Sequence, residues 1–284
     1  MKFKQITIVG TGLIGGSLAL AVKKHKLAKK IVGCDRQPVL DRALQLHAID
    51  LAEARPEAAI KGSDVVVLAT PVGGIIELIE RVGPLLQPST LLTDVGSTKA
   101  EIVRRAAMVF GASATQRFLP GHPMAGTENS GIEHADANLF QGAVWIFTAS
   151  ASSKSAVHRD FAALVEAIGA KVLWMEPDRH DRLCAWISHL PQMVSTAMAT
   201  TLLEEFGSSV ELREIGGRAL REMTRIAASP YSMWRDVAHT NAPNIEEAMH
   251  RLEQRLAYIR ENLKAPELRA EFEHANSFER ARKP

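Results

Sequence analysis

The apolar positions of this chain change period once. Up to about residue 176, short apolar runs alternate with amphipathic stretches. Ile6–Val9, Ile31–Cys34, Val65–Ala69 and Thr90–Val95 read as strands, and Val65–Ala69 is continuously apolar, as in a strand buried on both faces. Between and after them, Ser17–Lys24, Arg42–Leu51, Ile75–Val82 and Ala100–Phe110 carry helical spacing. Phe118–Pro123 reads as one more short strand running into a turn. Val144–Thr148 and Lys171–Met175 then flank a helix at Ala156–Ile168. Strands alternating with helices predict a parallel, doubly wound sheet.

Beyond Asp178 the strand signal disappears. Asp181–Phe206, Val210–Ala228, Tyr231–His239 and Asn244–Leu263 all carry helical periodicity, punctuated by Pro191, Gly207, Pro230 and Pro243. The expected organisation is an α/β Rossmann-type domain over 1–176 and an all-α domain over 177–284. Met193–Leu203 is apolar or small on nearly every face, which predicts burial in a core or an oligomer interface. An all-helical unit of this size has little core of its own, so a helix-mediated homodimer is expected. The polar segment from Pro266 onward reads as a frayed arm.

The first strand ends in Gly10-x-Gly12-x-x-Gly15 and runs into a helix. That is the setting a dinucleotide fingerprint requires. Gly10 permits the tight turn, Gly12 lets backbone approach a pyrophosphate, and Gly15 lets helix pack on strand. Leu13 and Ile14 complete the corner, and Thr70 closes a later strand on the same edge. The second apolar run ends in Asp35, about 20 residues past the glycines, where a ribose-binding acid belongs. Asp35 favours NAD, because the 2′-phosphate of NADP would face a carboxylate. Its neighbour Arg36 is a residue type that pairs with that phosphate, so NADP stays as the lesser alternative.

Other side chains admit two readings from sequence alone. His122, in Gly121-His122-Pro123 at a strand's C-terminal end, suits proton transfer near neutral pH but could be structural. Ser97 could bond a ligand or merely cap a helix. His189, shortly before an expected kink at Pro191, could be a core histidine. Arg225, among partly apolar neighbours, needs an anion, either a structural carboxylate or one on a substrate. Trp234 reads as packing.

Composition narrows the classes without choosing among them. The 284 residues are 46% apolar and 23% charged with a net charge of +2, which gives no reason to invoke nucleic acid or an anionic membrane. Cys34 and Cys184 form neither a CxxC pair nor a metal-ligand spacing, so a reducing, cytoplasmic setting and no metal are expected. A strand begins almost at the first residue, so no signal peptide is expected, and no apolar stretch is long enough to span a bilayer.

Taken together, several segments resemble the prephenate/arogenate dehydrogenase family of tyrosine biosynthesis. They are Val9-Gly-Thr-Gly-Leu-Ile-Gly-Gly-Ser17, Thr93-Asp-Val-Gly-Ser-Thr-Lys99 and Gly121-His-Pro-Met-Ala-Gly-Thr-Glu-Asn-Ser-Gly131. His180-Asp181, Ser188-His-Leu-Pro-Gln192, Thr224-Arg-Ile-Ala227 and Met233-Trp-Arg-Asp236 follow in the family's order. The resemblance implies NAD-dependent oxidative decarboxylation of prephenate to 4-hydroxyphenylpyruvate, with arogenate as the alternative substrate. It implies His122 as acceptor of the C4 hydroxyl proton and Ser97 as a group orienting that hydroxyl or the nicotinamide. His189 and Arg225 would hold the substrate's carboxylates, with Thr127 and Glu128 at the pocket mouth. The helical domain becomes the dimerising one, and the site falls between the domains. No room for an added mutase or amino-acid-sensing domain is expected, so tyrosine inhibition would act by competition in the active site. A β-hydroxyacid dehydrogenase would need a lysine in the first helix after the sheet, and Asp181–Glu204 contains none. A catalytically silent dinucleotide sensor would have no need of His122, Ser97 and Arg225, and all three are present.

Overall fold

A computed structural model describes residues 3–127, 129–148 and 155–282. The glycine corner and the strands around it fold as the apolar pattern predicts. β1 (Phe3–Val9), α1 (Leu13–Lys24), β2 (Ala28–Cys34), α2 (Gln37–Gln45), β3 (Leu51–Ala52) and α3 (Pro56–Ala59) come first. β4 (Val65–Leu68), α4 (Val72–Val82), β5 (Leu91–Asp94), α5 (Ala100–Phe110), α6 (Ala114–Arg117) and β6 (Phe118–Leu119) complete a parallel six-stranded sheet, ordered β3-β2-β1-β4-β5-β6.

Alternation along the central strands divides the core between the two faces. Val65 and Val67 of β4 join Leu18, Ala19 and Val22 of α1 on one side. Val66 and Leu68 meet Ile75 and Ile79 of α4 and Ile102 of α5 on the other. All four β4 residues are buried, which explains the unbroken apolar run.

The chain then departs from the expected single strand at Phe118–Pro123. Pro120, which lacks an N–H, separates β6 from β7 (Gly121–Met124), and β7 starts a second sheet. It pairs antiparallel with β8 (Val144–Phe147), and β9 (Lys171–Trp174) adds in parallel after α7 (Ala156–Ala167). Trp145, Phe147 and Phe161 pack into the same core as α1, so the small sheet leans on the large one. This corner carries His122 away from the main sheet edge.

Helices follow: α8 (Pro177–Cys184), a π-turn (Ala185–His189), α9 (Leu190–Phe206), α10 (Val210–Ile215) and α11 (Arg218–Thr224). A 3-10 turn (Arg225–Ala228), α12 (Tyr231–Thr240), α13 (Ala242–Glu261) and α14 (Glu267–Arg282) end the described chain.

Several expectations need correction. The helix placed at Arg42–Leu51 begins earlier, because Pro38 in its first turn starts it directly after Arg36. It stops at Gln45, before His47 at φ 53°, and Leu51 enters β3. The stretch Val210–Ala228 breaks at Gly216-Gly217, where helix propensity is lowest. Pro191 does not kink its helix. It sits in the first turn of α9, where no N–H is needed, and the irregularity is the π-turn before it. The segment past Pro266 is helical, with Glu271 of α14 paired to Arg255 of α13 at 2.8 Å.

Two aspartates join the helices to the large sheet. Asp181 of α8 accepts from the N–H groups of Lys99 (2.7 Å) and Ala100 (2.9 Å) at the start of α5. Asp236 of α12 accepts from Gly73 N–H (2.8 Å) at the start of α4. Each carboxylate caps a helix N-terminus of the other layer, where orphan N–H groups and the helix dipole favour negative charge. Thr98 and Thr240 add a hydroxyl–hydroxyl bond of 2.7 Å.

Candidate active site

The caps hold open a cleft of about 610 Å³ between sheet and helices. Gly12, Leu13, Ile14 and Thr70 line one end, Ser97, His122 and Thr127 the middle, and Ser188, His189 and Trp234 the helical wall.

At the glycine corner the three glycines have different tasks. Gly10 adopts φ +95°, and a Cβ there would lie 2.5 Å from the carbonyl oxygen of Ala69. A Cβ on Gly15 would meet the Gly10 carbonyl at 1.9 Å. Both are locked by packing. A Cβ on Gly12 would meet nothing within 4 Å, so its backbone faces open space at the N-terminus of α1. The first N–H groups of that helix have no intrahelical acceptor, and the bay suits a phosphate-bearing ligand. Asp35 lies beyond the cleft lining, where its carboxylate accepts from Thr11 N–H (2.7 Å) and Arg36 N–H (2.8 Å). Oδ2 also accepts from the Thr11 hydroxyl at 3.3 Å, and Oδ1 keeps capacity for a further donor. Arg36 is exposed beside it.

The protonation pattern at His122 follows from its partners. The Asp181 carboxylate can only accept, so His180 donates to it from Nδ1 (2.8 Å). In a neutral ring His180 Nε2 then accepts, and the group facing it at 2.8 Å is His122 Nδ1–H. The second nitrogen of His122, Nε2, is left with its lone pair. Burial, with His180, Lys99 and His189 nearby, pushes the His122 pKa well below the usual histidine range. His122 is therefore a neutral imidazole at neutral pH, oriented as a proton acceptor.

Below His122 a buried pair fixes the backbone. Lys99 Nζ bonds Asp94 Oδ2 and donates to the Gly121 carbonyl at 2.7 Å, while Asp94 Oδ1 accepts from Gly121 N–H at 3.2 Å. Burial pushes Asp94 up and Lys99 down, and each opposes that shift in the other. The residue before His122 is thus held at both its N–H and its C=O. A side chain at Gly121 would collide with the Asp94 carbonyl at 2.8 Å.

His189, at the end of the π-turn, is assigned in the same way. Asn241 Nδ2 donates to the Asp181 carbonyl (2.8 Å) and points its other hydrogen at His189 Nδ1 (3.1 Å). Nδ1 accepts, so Nε2 carries the proton. Burial lowers the His189 pKa to about 4. Among the described residues that buried Nε2–H has no acceptor, and neither does the indole N–H of Trp234, whose ring meets His189 edge-on at 5.9 Å. Two donors without partners on one wall define a position for an acceptor-rich ligand.

The structure thus gathers Ser97, His122, Thr127 and His189 with Gly12, Leu13, Ile14 and Thr70. It leaves Asp35, Arg36 and Arg225 outside the lining. Arg225 is exposed on its 3-10 turn, in contrast to the apolar surroundings its sequence neighbours suggested. That turn is tied to α9 by Gln192 Nε2 and the Ile226 carbonyl (2.9 Å), and leads into Ser229 and Pro230 on the cleft rim. Glu128 lies outside the described residues. Sequence reasoning gave no role to Asp94, Lys99, His180, Asp181 or Asn241. The first four stand inside the quoted segments, but the contacts that give them their places, to Gly121, His122 and the start of α5, come from distant parts of the chain. Cys184, one turn after His180, brings its Sγ to 3.5 Å from His180 Nε2. Among the described residues no helix is long and apolar enough to cross a membrane.

Comparison with known proteins agrees across the chain. The family model for the nucleotide-binding domain of prephenate dehydrogenase matches residues 18–174, and that for its dimerization domain matches 176–274. Prephenate dehydrogenases of Lactococcus lactis and Bacillus subtilis are 31% and 33% identical over 84% of this chain. The chain spans 65% of the length of each. A crystal structure of prephenate dehydrogenase from Aquifex aeolicus, in complex with hydroxyphenyl propionate and NAD+, superposes with a TM-score of 0.88 at 30% identity. It covers 99% of this chain and 98% of that one.

Proposed function

The chain belongs to the prephenate dehydrogenase family, and from that premise we propose that it oxidatively decarboxylates prephenate with NAD. The observation that carries the reading is the Asp181–His180–His122 series, which presents a neutral, oriented imidazole to the cleft. NAD would supply the acceptor for the hydride that leaves C4 of the substrate. The bay at Gly12, the N-terminus of α1 and the Asp35 carboxylate are the groups that would hold it.

His122 Nε2 accepts the proton of the C4 hydroxyl as the carbonyl forms. The charge it gains is shared through His180 with the Asp181 carboxylate, so the imidazolium forms opposite an anion two hydrogen bonds away. Its depressed pKa then returns the proton to solvent. Loss of CO2 from C1 makes the ring aromatic and drives the step, so the protein's task is placement and one proton transfer. His189 Nε2–H and the Trp234 indole N–H donate to substrate oxygens, which gives two buried donors their partners. Ser97 orients the hydroxyl, Thr127 borders the mouth, and Arg225, on the turn that leads into the rim, holds a carboxylate.

The helical unit offers the surface for a homodimer. In α9 only Leu190, Gln192 and Ser195 are buried, which leaves most of the apolar helix open. Leu203, Phe206, Val210 and Ile215 are exposed at its end and beyond.

The test is formation of reduced nicotinamide by purified protein, crossing prephenate and arogenate with NAD and NADP and adding tyrosine to the best pair. Turnover with prephenate and NAD supports the reading. Preference for arogenate keeps the chemistry and changes the substrate. Silence in all four sinks it. Light scattering at assay concentration measures the dimer, and a monomer mass removes it.

A further inference from the structure

His122, His180 and Cys184 come from distant parts of the sequence or from separate turns, yet their donor atoms converge. Nδ1 of His122, Nε2 of His180 and Sγ of Cys184 all lie within 4.8 Å of one another, and all three residues are buried. The nitrogens are 2.8 Å apart, and the sulfur is 3.5 Å from the His180 nitrogen. Imidazole nitrogen and thiolate sulfur are both zinc ligands, three of them from the protein in an open site, at about 2.1 Å to nitrogen and 2.3 Å to sulfur. At those bond lengths a tetrahedral ion holds its ligands about 3.4 to 3.6 Å apart, so the two nitrogens would part by about 0.6 Å while the sulfur already stands at that distance from the His180 nitrogen. His180 is already held at Nδ1 by the Asp181 carboxylate, the outer contact that orients metal-binding histidines and raises their basicity. The spacing of the cysteines along the chain hides this cluster.

We propose that His122, His180 and Cys184 form a binding site for a soft divalent cation, with Zn2+ the fitting ion, and that its occupancy silences the proton acceptor. The silencing rests on the role proposed for His122; the site rests on the geometry alone.

Binding gives each atom a definite change. Cys184 loses its thiol proton to solvent and binds as thiolate. His122 gives up the proton on Nδ1, which becomes the ligand, and takes one on Nε2. The result is the release of one proton and the replacement of the Nε2 lone pair by an N–H. A group that must accept a proton from substrate can then only donate one. Because the coordinating atoms lie behind the imidazole, the cleft keeps room for its ligands, and inhibition should not be relieved by excess substrate.

The experiment uses the full chain with NAD present. Co2+ is titrated as a spectroscopic probe, and turnover is assayed with Zn2+ and then with a chelator. The expected result is one equivalent of bound Co2+ with a thiolate-to-cobalt band in the near ultraviolet. The band should be retained in Cys34→Ala and lost in Cys184→Ala. Zn2+ should inhibit reversibly, and Cys184→Ala should keep its turnover and need at least about tenfold more Zn2+. Absence of the thiolate band in the unaltered protein overturns the site whatever the variants do. Equal Zn2+ sensitivity in the unaltered protein and Cys184→Ala overturns it as well. A cobalt band without any loss of turnover supports the site and overturns the role given to His122.

Discussion

Nδ1 of His122 and Nε2 of His180 meet at 2.8 Å, and this contact joins the small sheet to the first helix of the helical unit. It sets the tautomer of His122, and the Asp181 carboxylate behind it also caps α5. The group that orients His122 is therefore one that holds the two layers together.

His122→Asn should abolish turnover, with a loss of at least about 10²-fold in kcat, the scale of a general base. NAD affinity, measured by fluorescence titration, should stay close to that of the unaltered protein. Near-normal kcat would remove His122 from the chemistry.

His180→Ala should lower kcat while leaving KM nearly unchanged, because His180 positions the acceptor and touches no substrate. Its absence also admits water beside His122 and removes one of the groups that lower the His122 pKa. The acid limb of the pH–rate profile should move up towards pH 6.5. A lower kcat with an unmoved profile would make His180 structural only.

Asp236→Ala should uncap α4 at Gly73, at a cost of about 1 kcal/mol. Thermal unfolding should register that loss. Since Met233, Trp234 and Val237 on the same helix line the cleft, KM should rise as well. An unchanged melting temperature would mean the cap contributes nothing.

Arg225→Ala should raise KM chiefly, because the carboxylate contact proposed for it forms before the reaction and would be lost. A KM equal to that of the unaltered protein would confine Arg225 to its turn.

Stability should fall in acid through the buried histidines. His189 titrates at about 4 when folded, against 6.5 for an ordinary histidine. The unfolded chain therefore binds the extra proton first. The stabilisation is fully present above pH 6.5 and disappears as pH falls to about 4, amounting to roughly 3 kcal/mol. Urea unfolding in His189→Gln should show a shallower dependence over that window. An identical slope would contradict the assignment.

The sequence by itself determined the elements whose signal is local. Gly10, Gly12 and Gly15 after an apolar strand specify the corner, because only a residue without a Cβ fits at Gly10 and Gly15. The run Val65–Leu68 specifies a strand covered on both faces, and the change of period near residue 176 marks where strands give way to helices. His122 and His189 were legible as candidates because their segments carry a family's pattern.

Tertiary structure decided what depends on partners far apart along the chain. Pro120 moves β7 into a second sheet, which no local periodicity announces. The tautomer of His122 depends on Asp181 through His180, and that of His189 on Asn241. Arg225 proved exposed, on a 3-10 turn, and the helix expected to carry it is broken at Gly216-Gly217. Spacing along a chain fixes which side chains share a helix face or a strand edge. Which lone pair is left for chemistry depends on hydrogen bonds that exist only once the two layers have closed on each other.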